Sequence, residues 1–126
     1  MKYIIDAFAW IEYLEGGIKG KKVYEILNSD SENYTLLITI AEVVSKVKRK
    51  SLNHKFAYES MIKNTIIFDI TPRIAKEAGI LHAEYRRKMP QFGIVDALLV
   101  IAAKHLGAKV LTGDAHFKSF KEAIII

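Results

Sequence analysis

From Gly93 to Asp114 the chain reads Gly93-Ile94-Val95-Asp96-Ala97-Leu98-Leu99-Val100-Ile101-Ala102-Ala103-Lys104-His105-Leu106-Gly107-Ala108-Lys109-Val110-Leu111-Thr112-Gly113-Asp114. Gly93 introduces a stretch, Ile94 to Leu106, that is apolar on nearly every side, the pattern of a buried helix. Gly107 closes it as a C′ glycine does, and Lys109 to Thr112 follows as a strand. The two acids of the stretch fall at the helix start, Asp96, and just past the strand, Asp114.

Working outward, the same alternation repeats. Tyr3 to Asp6 reads as a short buried strand, and Phe8, Ile11, Glu12 and Leu14 suggest helical turns ending at Gly16 and Gly17. A helix over Lys19 to Leu27 and a polar loop from Asn28 to Asn33 come next. Tyr34 to Thr39, rich in β-branched and aromatic residues, predicts a second strand running into a helix from about Ile40 to Lys50. An amphipathic helix over Lys55 to Asn64 precedes a third strand, Thr65 to Ile70. Thr71 and Pro72 then match an N-cap with proline at the first helical position, opening a long helix with Ile74, Ala78, Leu81, His82 and Tyr85 on one face. Ala123 to Ile126 suggests a fifth strand. Strands alternating with helices imply an α/β fold with a central parallel sheet covered on both faces, and residues 1–126 read as a single domain. In such sheets the ligand site lies beyond the carboxyl ends of the strands.

Four acids fall on that side: Asp6 and Asp114 directly after strands, Glu42 inside an apolar helix and Asp96 at a helix start. Each has an ordinary explanation. Asp6 could cap a helix, Asp96 could favour the helix dipole, Asp114 could sit in a turn and Glu42 could pair with Lys46 at i+4. Together they point elsewhere, because like charges about 4 Å apart repel by roughly 4 kcal/mol at an effective dielectric near 20 unless protons or a cation neutralise them. Glu42, set among Ile38, Ile40, Ala41, Val43, Val44 and Val47, is expected to be buried and therefore to need a cation. Glu12 is the one other acid near enough in sequence to Asp6 to reach such a pocket. His116 reads either as an exposed loop histidine or as a contact to metal or substrate, while His54, His82 and His105 read as structural or solvated, with no HxH or HxxxH spacing for zinc.

With no cysteine, any metal must be bound by oxygen or imidazole. No GxGxxG, GxxxxGK[ST] or GxSxG motif occurs, so nucleotide sites and a serine nucleophile are unsupported. No apolar run approaches the roughly 20 residues that span a bilayer, and Asp6 restores charge too early for a signal-peptide apolar region, so a soluble, cytoplasmic protein without membrane attachment is expected. The formal net charge of +5 and pI near 9.4 favour an anionic partner. The charge is blocked: Lys46, Lys48, Arg49, Lys50, His54 and Lys55 form one cluster and Arg86, Arg87 and Lys88 another. Either block could be a solvated face. Beside a carboxylate pocket they suggest a phosphate backbone, with Lys46, Arg49, Arg86 and Arg87 the candidates for RNA binding.

The segments Ile4-Ile5-Asp6-Ala7-Phe8-Ala9-Trp10-Ile11, Ala41-Glu42-Val43-Val44, Ile94 to Ala103 and Leu111-Thr112-Gly113-Asp114-Ala115-His116-Phe117 together resemble the PIN-domain family, in particular its VapC-type toxins. The resemblance implies a parallel sheet flanked by helices, an acidic quartet of Asp6, Glu42, Asp96 and Asp114 binding Mg²⁺ or Mn²⁺, and ribonuclease activity. Thr112 matches the hydroxyl residue that orients a carboxylate or water near the last aspartate. Ala7 departs from the serine or threonine common there, which removes a hydrogen bond behind the ligands but leaves the ligands themselves. The resemblance further implies a homodimer and a small antitoxin, for which the long helix from Pro72 and the apolar Phe8, Trp10, Ile11 segment offer surface. A non-catalytic PIN-fold binding module and a DNA-directed metal nuclease are the alternatives.

Overall fold

The computed structural model describes all residues, 1–126. The chain runs β1 (Lys2–Ile5), α1 (Ala7–Glu15), α2 (Gly20–Leu27), β2 (Glu32–Leu36), α3 (Leu37–Arg49), α4 (His54–Asn64), β3 (Ile66–Phe68), α5 (Pro72–Tyr85), α6 (Ile94–Leu106), β4 (Lys109–Thr112), a 3₁₀ turn (Ala115–Phe117) and β5 (Ala123–Ile125). All five strands are parallel and join one sheet in the order β3-β2-β1-β4-β5, as the alternating pattern predicts. The order reverses at β1: the chain leaves it toward β2 on one side, and β4 pairs with it on the other. The crevice of such a sheet opens at that reversal, outside the carboxyl ends of β1 and β4.

The period-two alternation of the strands divides the core. Ile4, Val110, Tyr34 and Leu36 face α5 and α6, packing with Ile74, Ala78, Val100 and Phe92. Ile5 and Leu111 face the other way, toward Trp10, Val23, Val43 and Met61 of α1 to α4. Helix ends follow the local signals. Asp6 caps α1, Asn53 caps α4 and Thr71 caps α5 with Pro72 in the first turn, and Gly16 and Gly107 end α1 and α6 at positive φ, where a glycine carries no Cβ penalty.

Three expectations change. The second strand ends at Leu36 and α3 begins at Leu37, so Ile38, Thr39 and Ile40 are helical despite their β-branching. Burial of the stripe Thr39, Val43 and Val47 at i, i+4, i+8 outweighs a propensity difference of a few tenths of a kcal/mol per residue. That stripe is also narrow: Glu42 lies outside it and is an exposed residue, not a core one. Finally, Trp10 and Ile11 are buried, Trp10 donating its indole N–H to Thr35 Oγ1 at 3.1 Å, so of the Phe8, Trp10, Ile11 segment Phe8 alone remains at the surface.

Candidate active site

Asp6 follows β1 and is 5% exposed. Its amide donates to the Leu111 carbonyl at 3.2 Å, which ties the turn after β1 to β4, and its Oδ1 accepts from the Ala9 amide at 2.8 Å. The ordinary reading of Asp6 as a cap is therefore correct. Burial pushes its carboxyl up to about 7, against hydrogen bonds from Thr112 and the Ala9 amide that pull it down, while the charges of Asp114 and Asp96 push it further up.

Asp96 repeats the arrangement. Its Oδ2 accepts from the Gly93 amide at 2.8 Å, closing the first turn of α6, while its Oδ1 makes no hydrogen bond within the chain. Burial raises its pKa, the Gly93 hydrogen bond opposes this, and Asp114 raises it again; His116 and His82 lower it. Asp114 spends Oδ1 on the His116 amide at 2.9 Å. Its own amide donates to Thr112 Oγ1 at 3.0 Å, and the buried Thr112 hydroxyl lies near enough to Asp6 to pull its pKa down. Glu42 reaches the group from α3: partial burial of its carboxyl raises its pKa, and so does Asp96, although the residue as a whole is exposed.

The structure thus brings Asp6, Asp96 and Asp114 into mutual electrostatic contact and places Glu42 beside Asp96. Glu12 does not join them; its carboxylate packs against Gly17 at the α1–α2 junction. Neither Asp6, Glu42 nor Asp96 has a cationic partner, and the i+4 pair Glu42–Lys46 does not form; the remaining ion pairs, Lys50–Glu15, Arg73–Glu77 and His105–Glu77, lie elsewhere. Asp114 alone has a neighbour of that kind, His116 Nδ1 at 3.0 Å, off the line a hydrogen bond requires. Two buried side-chain polar atoms in the chain lack a hydrogen bond: this Nδ1, and Oγ1 of Thr39, one turn before Glu42. Both belong to the carboxyl side of the sheet.

A set of carboxylate oxygens with free lone pairs and unrelieved like charge matches a hard divalent cation in donor chemistry. As the side chains lie, no three histidine, aspartate or glutamate residues close around a single point as metal ligands would. The donor set fits; side-chain rotation would have to complete it.

Aromatic packing holds the Asp114 segment in place. Phe92 stacks on Phe120 at 5.2 Å and meets Phe117 edge-on at 6.3 Å, and Tyr85 packs on Phe120 at 4.7 Å and hydrogen-bonds Ser119 at 2.7 Å, so the 3₁₀ turn is clamped to the α5–α6 corner. His82, expected from sequence to be structural or solvated, has a further effect. It affects Asp96 across the α5–α6 pairing, a contact that no local motif announces. Lys46 and Arg49 stand at i+4 and i+7 from Glu42, and Arg86 and Arg87 follow His82 by one turn; all four are exposed and pair with no acid.

The sequence matches the PIN domain family over residues 3–123. The chain belongs to the PIN-domain family. Its fold is shared with solved structures at low sequence identity. A toxin–antitoxin complex from Klebsiella pneumoniae aligns at 20% identity over 97% of this chain and 95% of that one, with a TM-score of 0.78. VapBC2 from Rickettsia felis, bound to a fragment of its promoter DNA, aligns at 19% identity over 100% and 98%, TM-score 0.75. VapC20 of Mycobacterium tuberculosis, a toxin that cleaves the sarcin–ricin loop, aligns at 12% identity over 94% and 95%, TM-score 0.77. Among curated proteins no sequence match was found. No helix of this PIN domain is long and apolar enough to cross a membrane.

Proposed function

We propose that this PIN domain is a metal-dependent endoribonuclease, and the toxin of a toxin–antitoxin pair acting in the cytoplasm. The observation that carries the nuclease reading is the trio of mutually repelling aspartates at the β1/β4 reversal, two of them with raised pKa and each spending one oxygen on a backbone amide. The amides fix where the carboxylates stand, and the remaining oxygens are the ones available to a ligand. Asp6, Asp96 and Asp114 would hold Mg²⁺ or Mn²⁺, with Glu42 completing the set. The chemistry such an ion supplies is Lewis acidity toward the phosphate and a lowered pKa for water.

The chain's own part is positioning. The Thr112 hydroxyl accepts from the Asp114 amide and lies beside Asp6. The exposed, unpaired cations Lys46, Arg86 and Arg87 would draw the RNA backbone toward the crevice, while Arg49, at the far end of α3 next to the Lys50–Glu15 pair, would meet it only beyond the site. Neither oxygen of Glu42 is hydrogen-bonded within the chain, so one could complete the set around the ion while the other accepts a proton from water.

The partner reading rests on the likeness to toxin–antitoxin complexes and on surface chemistry. Exposed Leu37, Ile38, Tyr58 and Ile62 border two adjoining cavities of about 370 and 630 Å³ that share Leu37 and Ala41. This α3–α4–β3 face, in place of the buried Trp10 and Ile11, is the apolar ground for a homodimer or an antitoxin helix.

The test is incubation with mixed RNA and single-stranded DNA, with Mn²⁺ or with chelator, for wild type and Asp6→Ala. RNA cut by wild type in Mn²⁺, and by neither the chelated protein nor the variant, is expected. Cutting of DNA alone would identify a DNA nuclease, and no cutting under any condition a binding module.

A further inference from the structure

Phe8 is an aromatic residue spent outside the core. It is 37% exposed, belongs to neither apolar cluster, and stands two residues after Asp6 while its neighbours Ala9 and Trp10 are fully buried. Its ring lies directly against Gly113, where any Cβ would collide with it. Gly113 in turn separates Thr112 from Asp114. The ring is therefore wedged between the two chain segments that carry Asp6 and Asp114, and it stays at the surface. Above it sits Lys19, Nζ 5.4 Å from the ring centroid, exposed and paired with no acid.

We propose that Phe8 is a stacking platform for one unpaired nucleobase of the substrate, and that Lys19 moves from the ring to the phosphate beside that base. The proposal rests on the ribonuclease reading and names the side chains that hold one nucleotide of that substrate; a base stacked within a duplex presents no free face, so the base held is an unpaired one. Single-stranded RNA is recognised by splaying bases onto aromatic rings, and every base has such a face. The exchange runs in the direction stated. An exposed ammonium over a ring is worth about two- to fivefold in affinity, whereas base–aromatic stacking is worth about 5- to 100-fold. The displaced ammonium is not lost, since a phosphate takes it up. Gly113 has a physical reason to be glycine here: it lets the ring approach the backbone beside Asp114 without a side chain in between.

The experiment measures binding by fluorescence anisotropy in an Asp96→Asn background with Mg²⁺, so that the probe stays intact. The probes are a labelled twelve-nucleotide oligouridylate and a twelve-unit abasic chain with the same phosphates. Phe8→Leu keeps the apolar contact with Gly113 and removes the aromatic face. It is expected to weaken oligouridylate binding by about 5- to 100-fold and to leave abasic-chain binding unchanged, while Phe8→Tyr binds both as the parent does. Lys19→Ala is expected to weaken both probes alike and to lower the salt slope by about one. Phe8→Leu binding oligouridylate as tightly as the parent would overturn the platform and leave the nuclease reading standing. A parent that binds neither probe would overturn both.

Discussion

At the amino ends of β2 and β3 a cavity of about 440 Å³ is lined by polar residues, among them Asp30, Ser31, Asn33, Lys63 and Thr65. At the carboxyl ends of β1 and β4 lie Asp6, Asp96, Asp114 and Thr112. Both regions gather polar groups, and they treat them in opposite ways. The amino end closes its own hydrogen bonds: Ser31 donates to Asn33 Oδ1 at 2.8 Å, Ser29 donates to the Ile26 carbonyl at 2.7 Å, and Thr65 pairs with Thr35 at 2.6 Å. The carboxyl end does not. It holds like charges without a counter-ion, and it contains both of the chain's unpartnered buried polar atoms, Thr39 Oγ1 and His116 Nδ1. Polarity satisfied from within is structure. Polarity left open, at a cost in folding free energy, is the mark of a site that expects something from outside. The amino-end cavity is therefore the poorer candidate for chemistry.

The largest effect that could break this contrast is on cleavage. Asp96→Asn keeps the shape and the Gly93 hydrogen bond and removes a charge, and it is expected to lower RNA cleavage by at least about 100-fold. The metal-free variant should melt no lower than wild type, since like-charge repulsion is relieved. A variant that cuts normally but unfolds easily would make Asp96 a structural cap.

The second effect is on stability against pH. Asp6 has its carboxyl raised from 3.8 to about 7, so the folded state holds that proton more tightly than the unfolded chain does. The contribution is fully present below about pH 4 and is lost as pH rises through about 7; roughly three units at 1.36 kcal/mol each amount to about 4 kcal/mol. Asp96 and Glu42, also raised, act in the same sense, while the partly exposed Glu77, lowered by His105 and then Arg73, acts weakly in the other. Metal-free protein should thus melt at a higher temperature at pH 5 than at pH 8. Asp6→Asn should flatten that slope, and Mn²⁺ should recover stability at pH 8 by binding the native state alone. A slope unchanged in Asp6→Asn would mean that the burial of this carboxyl is not what the pH profile reads.

How far the sequence announced this contrast depended on the range of the forces involved. The α6 helix with its two glycines, the Thr71-Pro72 start of α5 and the strand–acid junctions at Asp6 and Asp114 were legible because each rests on neighbours within a few residues. Convergence of the acids was legible through topology, since parallel strands put their carboxyl ends on one side. What could not be read depended on the third dimension. Ile38, Thr39 and Ile40 look like strand until Val43 and Val47 are buried with Thr39 on one helical stripe. Glu42 sits among apolar residues in sequence and outside the buried stripe in space. His82 acts on Asp96 only because α5 folds back along α6. Trp10 is buried on α1 with its indole N–H donated to Thr35, a partner on β2 far away in sequence.

The smallest expected effect sharpens the contrast from the amino end. Asn33 is buried; its Oδ1 accepts from Ser31 and its amide reaches the Ile26 carbonyl at a long 3.4 Å. Asn33→Ala removes one good hydrogen bond, and the Ser31 hydroxyl proton freed by it can turn to the Ile26 carbonyl at 3.0 Å or to Ser29 at 2.7 Å, so no buried donor is stranded. The loss should be about 1 kcal/mol, seen as a lower urea midpoint at unchanged m-value. Cleavage should not change, because Asn33 pairs with Tyr3 near the start of β1, at the opposite end of the strand from Asp6, and its side-chain hydrogen bonds reach none of the acids. A variant of normal stability and impaired cleavage would show that the amino-end cavity takes part in substrate binding, and the division between a closed end and an open end of the sheet would have to be abandoned.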